Sequence, residues 1–114
     1  MRLLLTLFLV LGFSAIAQES TEDTAKAEFQ TLAKESPGGT GERIEFTNNR
    51  VEYIYTCDVV ADDGTKRVQH IQFRVTTNEK TGAPFVTVVG EMSHMDYKNM
   101  LGVGKPKSRD TVKF

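Results

Sequence analysis

The sequence has almost no cysteine. Its 114 residues include a single one, Cys57, and no tryptophan. Small exported domains often depend on disulfides, but one cysteine excludes an intramolecular bond, so packing alone must hold this fold. We interpret Cys57 as a small buried hydrophobic residue, with a link to a second subunit or a reactive thiol as the alternatives.

An excess of positive charge is also missing. The chain has 14 Lys and Arg residues against 15 Asp and Glu residues. Without Arg2, which lies in the predicted leader, 13 basic against 15 acidic residues leave a net charge of −2. This balance predicts that the protein does not bind nucleic acid.

Long apolar runs are confined to the amino terminus. Arg2 precedes an apolar run over residues 3–13, and Ala15 and Ala17 follow it as an A-x-A cleavage pattern. This arrangement predicts a signal peptide and export to a periplasm or to the extracellular space. The run is shorter than the about 20 residues that cross a bilayer, so an uncleaved anchor is the weaker alternative and no transmembrane segment remains after cleavage. The predicted organisation is a signal peptide, one domain and a basic tail, at residues 1–17, 18–104 and 105–114.

Four segments have the pattern of strands. In VEYIYTCDVV, residues 51–60, the odd-numbered side chains are apolar and share one face. The dipeptide Asp63-Gly64 predicts a hairpin turn into residues 66–76. Residues 84–92 are apolar on both faces, which predicts a central or covered strand. With residues 43–47 upstream, these segments predict a four-stranded antiparallel meander.

Two segments have helical signals. Ser20 and Asp23 form an amino-terminal cap, and residues 25, 29, 32 and 33 are apolar at helical spacing before the Pro- and Gly-rich residues 36–41. A second, short helix is predicted over residues 94–101, between Ser93 and Gly102. The predicted fold class is α+β, with an amino-terminal amphipathic helix packed on the meander and a short carboxy-terminal helix.

The segment GEMSHMDYKNM, residues 90–100, is rich in methionine. Thioether and imidazole groups suit monovalent copper, which makes a metal site one interpretation of this segment. Packing is the other, because methionine often fills irregular cores. The candidate copper ligands are Met92, His94, Met95 and Met100. Zinc is disfavoured, since the chain has two histidines and one cysteine.

A catalytic constellation is hard to assemble from this sequence. Cys57, His70 and Asp58 have the residue types of a thiol nucleophile, a base and an orienting group. A turn centred on Asp63-Gly64 would place Cys57 directly opposite His70, although Asp58 would point to the other face. The sequence has no serine elbow and no glycine-rich phosphate loop. We therefore predict that the protein is not an enzyme.

The tail, residues 105–114, is basic. Its composition predicts a solvated terminus, with a docking arm for an anionic surface or an added edge strand ending in Val112 and Phe114 as alternatives. Together these patterns predict a small exported non-enzymatic protein that binds another envelope or extracellular protein through a sheet face or edge, without a cofactor, and they leave a homodimer open. Copper binding is the alternative function, and a thiol-dependent enzyme using Cys57 and His70 is the third.

Overall fold

The computed structural model describes residues 20–114 as a five-stranded antiparallel sheet with a helix on each face. The helices are α1 (Thr21–Glu35) and α2 (His94–Gly104), and the strands are β1 (Thr40–Glu45), β2 (Val51–Val60), β3 (Lys66–Thr77), β4 (Pro84–Ser93) and β5 (Ser108–Val112). The strand order is β4-β3-β2-β1-β5. The α+β prediction is therefore confirmed. The predicted signal peptide lies outside the described residues, and no helix within residues 20–114 is long and apolar enough to span a membrane.

Helix α1 begins and ends where the sequence signals predict. The Ser20 hydroxyl accepts a hydrogen bond from the Asp23 N–H at 3.1 Å, which satisfies a donor that has no partner in the first turn. The helix ends at Glu35, before Pro37. Its buried residues are Ala25, Phe29 and Leu32, so the predicted apolar stripe is the face that packs on the sheet.

The first face of the sheet, which α1 covers, holds an apolar core. Phe29 contacts the rings of Tyr53 and Phe73 edge-on, with centroid distances of 6.2 and 5.0 Å. Cys57 is buried in the same cluster. The alternation read from strand β2 therefore predicted this face correctly, and the interpretation of Cys57 as a buried residue is confirmed.

The hairpin turns place left-handed residues where the sequence predicts them. Gly64 has φ = 85° in the β2–β3 turn, and Asn49 has φ = 66° in the β1–β2 turn. In the β2–β3 turn, the Ala61 N–H donates to the Thr65 carbonyl at 2.8 Å and the Gly64 N–H donates to the Ala61 carbonyl at 2.9 Å. These bonds close a five-residue loop, because Val60 pairs with Lys66.

The two edges of the sheet differ from the sequence prediction. Strand β4, which was predicted to be central or covered, lies at one edge, and this prediction is wrong. At the other edge, β5 pairs with β1 and adds a fifth strand, so the edge-strand alternative describes this part of the tail. The ring of Phe114 beyond it stacks on Phe29 at 5.3 Å. Strand pairing with β1 holds this part of the tail on the sheet, although the basic composition predicted a solvated terminus, and Phe114 itself remains 39% exposed.

Candidate functional site

The second face of the sheet carries α2 and a mixed apolar and polar surface. The Ser93 hydroxyl caps α2 by accepting from the Asp96 N–H at 3.2 Å. One turn later, Tyr97 packs with Ile44, Phe46 and Ile54. Helix α2 extends three residues beyond the predicted end and stops where Lys105 adopts a left-handed conformation, with φ = 47°. This packing fixes the start of α2 above strands β1 to β3.

A closed hydrogen-bonded triangle joins β1, α2 and β5. The Tyr97 hydroxyl donates a short hydrogen bond to Glu42 Oε1 and accepts one from Arg109 Nη2 at 2.9 Å. Arg109 also donates from Nε to Glu42 Oε2 at 2.9 Å. Burial, followed by the neighbouring Glu42 carboxylate, raises the pKa of Tyr97 to about 12. The phenol therefore stays protonated, and the triangle holds its charge-assisted bonds.

A histidine pair lies against this triangle. His70 is only 2% exposed, and its ring stacks on Tyr97 with a centroid distance of 3.9 Å. Its Nδ1 lies 2.8 Å from the Thr56 hydroxyl, and its Nε2 lies 3.1 Å from Nδ1 of His94. Burial, and then the neighbouring His94, lower the pKa of His70. Because a single proton fits between the facing nitrogens, the pair keeps its hydrogen bond only if at most one ring is charged.

These side chains surround a cleft with a volume of about 350 Å³. Its lining combines two imidazoles and a carboxylate with three threonine hydroxyls. The polar lining residues are Thr40, Glu42, Thr56, His70, His94, Tyr97 and Thr111. Such convergence of polar groups beside an apolar core is typical of a binding site, so we take this cleft as the candidate site.

A second buried charge lies further along the same face. Glu52 is fully buried and accepts from Arg74 Nε at 2.6 Å, and Arg50 Nε lies 3.2 Å from the same oxygen, Oε1. Its Oε2 has no hydrogen-bond partner within residues 20–114. The two guanidinium groups compensate the buried carboxylate, which explains how the interior of this face accommodates it.

The methionines predicted as copper ligands occupy different environments. Met92 and Met100 are half-buried against the cluster that contains Tyr97. Met95 is 72% exposed. His94 faces His70. Within residues 20–114, no group of three or more His, Cys, Asp or Glu side chains is arranged to hold a metal ion.

The predicted contact between Cys57 and His70 is wrong. Cys57 pairs with Gln69, whereas His70 pairs with Thr56. The loop is centred on Asp63, and not between Asp63 and Gly64, so the pairing register differs by one residue from the predicted one. A register shift of one residue moves a side chain to the opposite face. Cys57 therefore lies in the core under α1, where burial raises the pKa of its thiol. His70 lies on the second face, away from that thiol.

Sequence reasoning did not find the Glu42–Tyr97–Arg109 triangle. Its members are 55 and 67 positions apart from Glu42, so no local spacing connects them. Comparisons of the chain with models of known protein families, with curated proteins and with solved structures found no significant match.

Proposed function

We propose that this chain is a small exported non-enzymatic protein that binds an extended segment of another envelope or extracellular protein along strand β4. The contrast between the two edges of the sheet carries the proposal. Strand β4 has ten residues, of which Glu91 alone is charged. Phe85, Val88 and Val89 on this strand are 46, 58 and 45% exposed.

The opposite edge has the features of a protected edge. Strand β5 has five residues, including the charged Arg109 and Asp110. Lysines 107 and 113 flank it. Charges and short length are common protections against unwanted strand pairing. The apolar β4 edge lacks these protections, and this difference supports β4 as the docking edge.

The partner segment would extend the sheet by strand addition. In this binding mode, backbone hydrogen bonds supply affinity and alternate side chains supply specificity. Val88 pairs with Phe73 on the α1 side, and Phe85 pairs with Thr76 on the α2 side. The register shifts after Val88, so the regular docking segment is Pro84–Val88. A matching partner has apolar residues that meet Phe85 on one face and Val88 on the other.

Site-specific photo-crosslinking tests this proposal in cells that produce the protein. A photoreactive phenylalanine analogue replaces Phe85 in one variant and Thr111, on the β5 edge, in the matched control. We expect an adduct from position 85 that is absent from position 111. Val88→Lys should remove the adduct without loss of folding, because Val88 is exposed.

The second step is to identify the partner segment that is crosslinked to position 85. Mass spectrometry identifies it, and a synthetic peptide of that segment should protect the backbone amides of residues 85–88 that face away from β3 from hydrogen exchange. An adduct of twice the chain mass would instead identify a second copy as the occupant. Equal crosslinking from positions 85 and 111, or no protection by the peptide, would contradict strand addition at β4.

A further inference from the structure

We propose that His70, His94 and Met92 form a binding site for monovalent copper. This inference goes beyond the docking edge and does not depend on it. Its basis is a pair of imidazole nitrogens, His70 Nε2 and His94 Nδ1, that face each other across 3.1 Å. Met92 is the cross-strand neighbour of His70 and lines a cleft together with His94. Within residues 20–114, no third His, Cys, Asp or Glu side chain joins the two histidines in a metal-binding group.

The sheet brings these groups together in one row. Thr56, His70 and Met92 are direct cross-strand neighbours on β2, β3 and β4. Side chains in such positions have Cβ atoms about 4.5–5.5 Å apart, within reach of a long thioether. His94 follows Met92 by two residues, as the first residue of α2. The four side chains therefore converge without a long loop between them.

The ring of His70 is oriented before any ion arrives. It is held between the Thr56 hydroxyl at Nδ1 and the face of Tyr97. Histidines that bind metals commonly use the second ring nitrogen in this way, which fixes both the tautomer and the ring plane. With its proton on Nδ1 donated to Thr56, His70 presents the Nε2 lone pair toward His94.

The two rings can supply one lone pair each with no change in total charge. Without an ion, His94 Nδ1–H donates to His70 Nε2 when His70 keeps its proton on Nδ1. On binding, the proton of His94 moves from Nδ1 to Nε2, so the ion replaces this hydrogen bond and both facing lone pairs become ligands. Metal–nitrogen bonds are about 2.0–2.1 Å long, so two nitrogens that share an ion lie at most about 4 Å apart. The observed separation falls within this limit, and the exposed His94 can adjust it.

The donor types select the ion. Thioether and imidazole ligands favour monovalent copper over hard cations, which prefer carboxylate and carbonyl oxygens. Of the methionines predicted as ligands, Met92 stays in the set because it neighbours His70 across the strands. Met95 leaves it, since its side chain is 72% exposed. His70, which the sequence analysis assigned to the thiol-dependent enzyme alternative, joins the set of proposed copper ligands.

Competitive titration of the purified exported protein with monovalent copper, against a chromophoric copper chelator without oxygen, tests the site. We expect one equivalent to bind. His94→Ala should weaken binding by at least about 10–100-fold, the loss typical of removing even an outer partner of a ligand. Met92→Leu should also weaken binding. Met95→Leu is the matched control and should bind as the unmodified protein does.

X-ray absorption of the loaded protein gives an independent measurement. A copper–sulfur contribution should be present, and it should disappear in Met92→Leu but not in Met95→Leu. His94→Ala keeps the fold, because His94 is exposed at the start of α2, and circular dichroism checks this. Val88→Lys should leave copper binding unchanged, which separates this test from that of the docking edge.

Three results would overturn the assignment. The first is unchanged affinity in both His94→Ala and Met92→Leu. The second is equal weakening by Met95→Leu, which would indicate adventitious binding to exposed methionine. The third is a higher affinity for Zn²⁺ than for monovalent copper in parallel titrations, which would contradict the choice of ion.

Discussion

The two faces of the sheet differ in the kind of side chains that they bury. Under α1, Phe29 packs with Tyr53 and Phe73 in a cluster of apolar side chains. Under α2, the buried set includes His70, Gln72 and the fully buried Glu52. Apolar contacts are non-directional, whereas buried polar groups need specific partners. The first face therefore depends on apolar burial, whereas the second face combines an apolar cluster with buried polar groups that need defined partners.

The largest expected effect is on the first face. Phe29→Ala removes a fully buried ring that contacts four other aromatic rings. We expect the free energy of unfolding to fall by about 3–5 kcal/mol, as urea denaturation would measure. The exposed neighbour in Gln30→Ala should change it by less than about 0.5 kcal/mol. A small effect of Phe29→Ala would mean that α1 contributes little to the core.

A smaller effect is expected on the second face. Tyr97→Phe keeps the ring on His70 but removes the hydroxyl between Glu42 and Arg109. We expect a loss of about 1–3 kcal/mol in the free energy of unfolding. Hydrogen exchange should show faster opening of the α2 amides and unchanged α1 amides. Equal acceleration in both helices would remove the distinction between the faces.

The pH dependence of Cys57 tests burial on the first face directly. Burial raises the pKa of its thiol above the ordinary value of 9.0. We expect alkylation by iodoacetamide at pH 8 to be much slower in the folded protein than in denaturant. Because the folded pKa is raised, this thiol's contribution to stability is full below pH 9.0 and is lost as pH rises through the folded pKa. Rapid alkylation of the folded protein would show that the thiol is accessible.

The smallest effect concerns a surface ion pair on α1. Lys26 Nζ lies 3.5 Å from Glu22, four residues earlier, and the side chains of Lys26 and Glu22 are 40% and 69% exposed. Lys26→Ala should reduce the free energy of unfolding by no more than about 0.5 kcal/mol, and added salt should reduce that difference further. A larger, salt-resistant loss would indicate that the lysine stem packs on the sheet.

The contrast between the faces also explains how far the sequence could be interpreted. The apolar odd-numbered residues of β2 and the helical spacing around Phe29 identified the first face, because each pattern is local. The second face depends on where distant elements meet. The Cys57–His70 prediction was wrong by one residue of register, which changes the face of the sheet.

Strand β4 was misplaced for a related reason. Apolar residues on both faces are typical of a covered strand, but they also occur on an edge that a partner covers. The copper site that we propose depends on the pairing of His70 with Met92. It follows from the hairpin registers, which the turn residues alone did not determine.

The position of helix α2 in the chain affects the stability of the two sheet edges. It starts after β4, at one margin of the sheet, and leads to β5, at the opposite margin. The helix therefore crosses the width of the sheet and connects its two edge strands. If α2 detached from the sheet, β5 could separate from β1 and expose the backbone of β1. The sheet would then have a second edge open to strand pairing, beside the docking edge that we propose on β4.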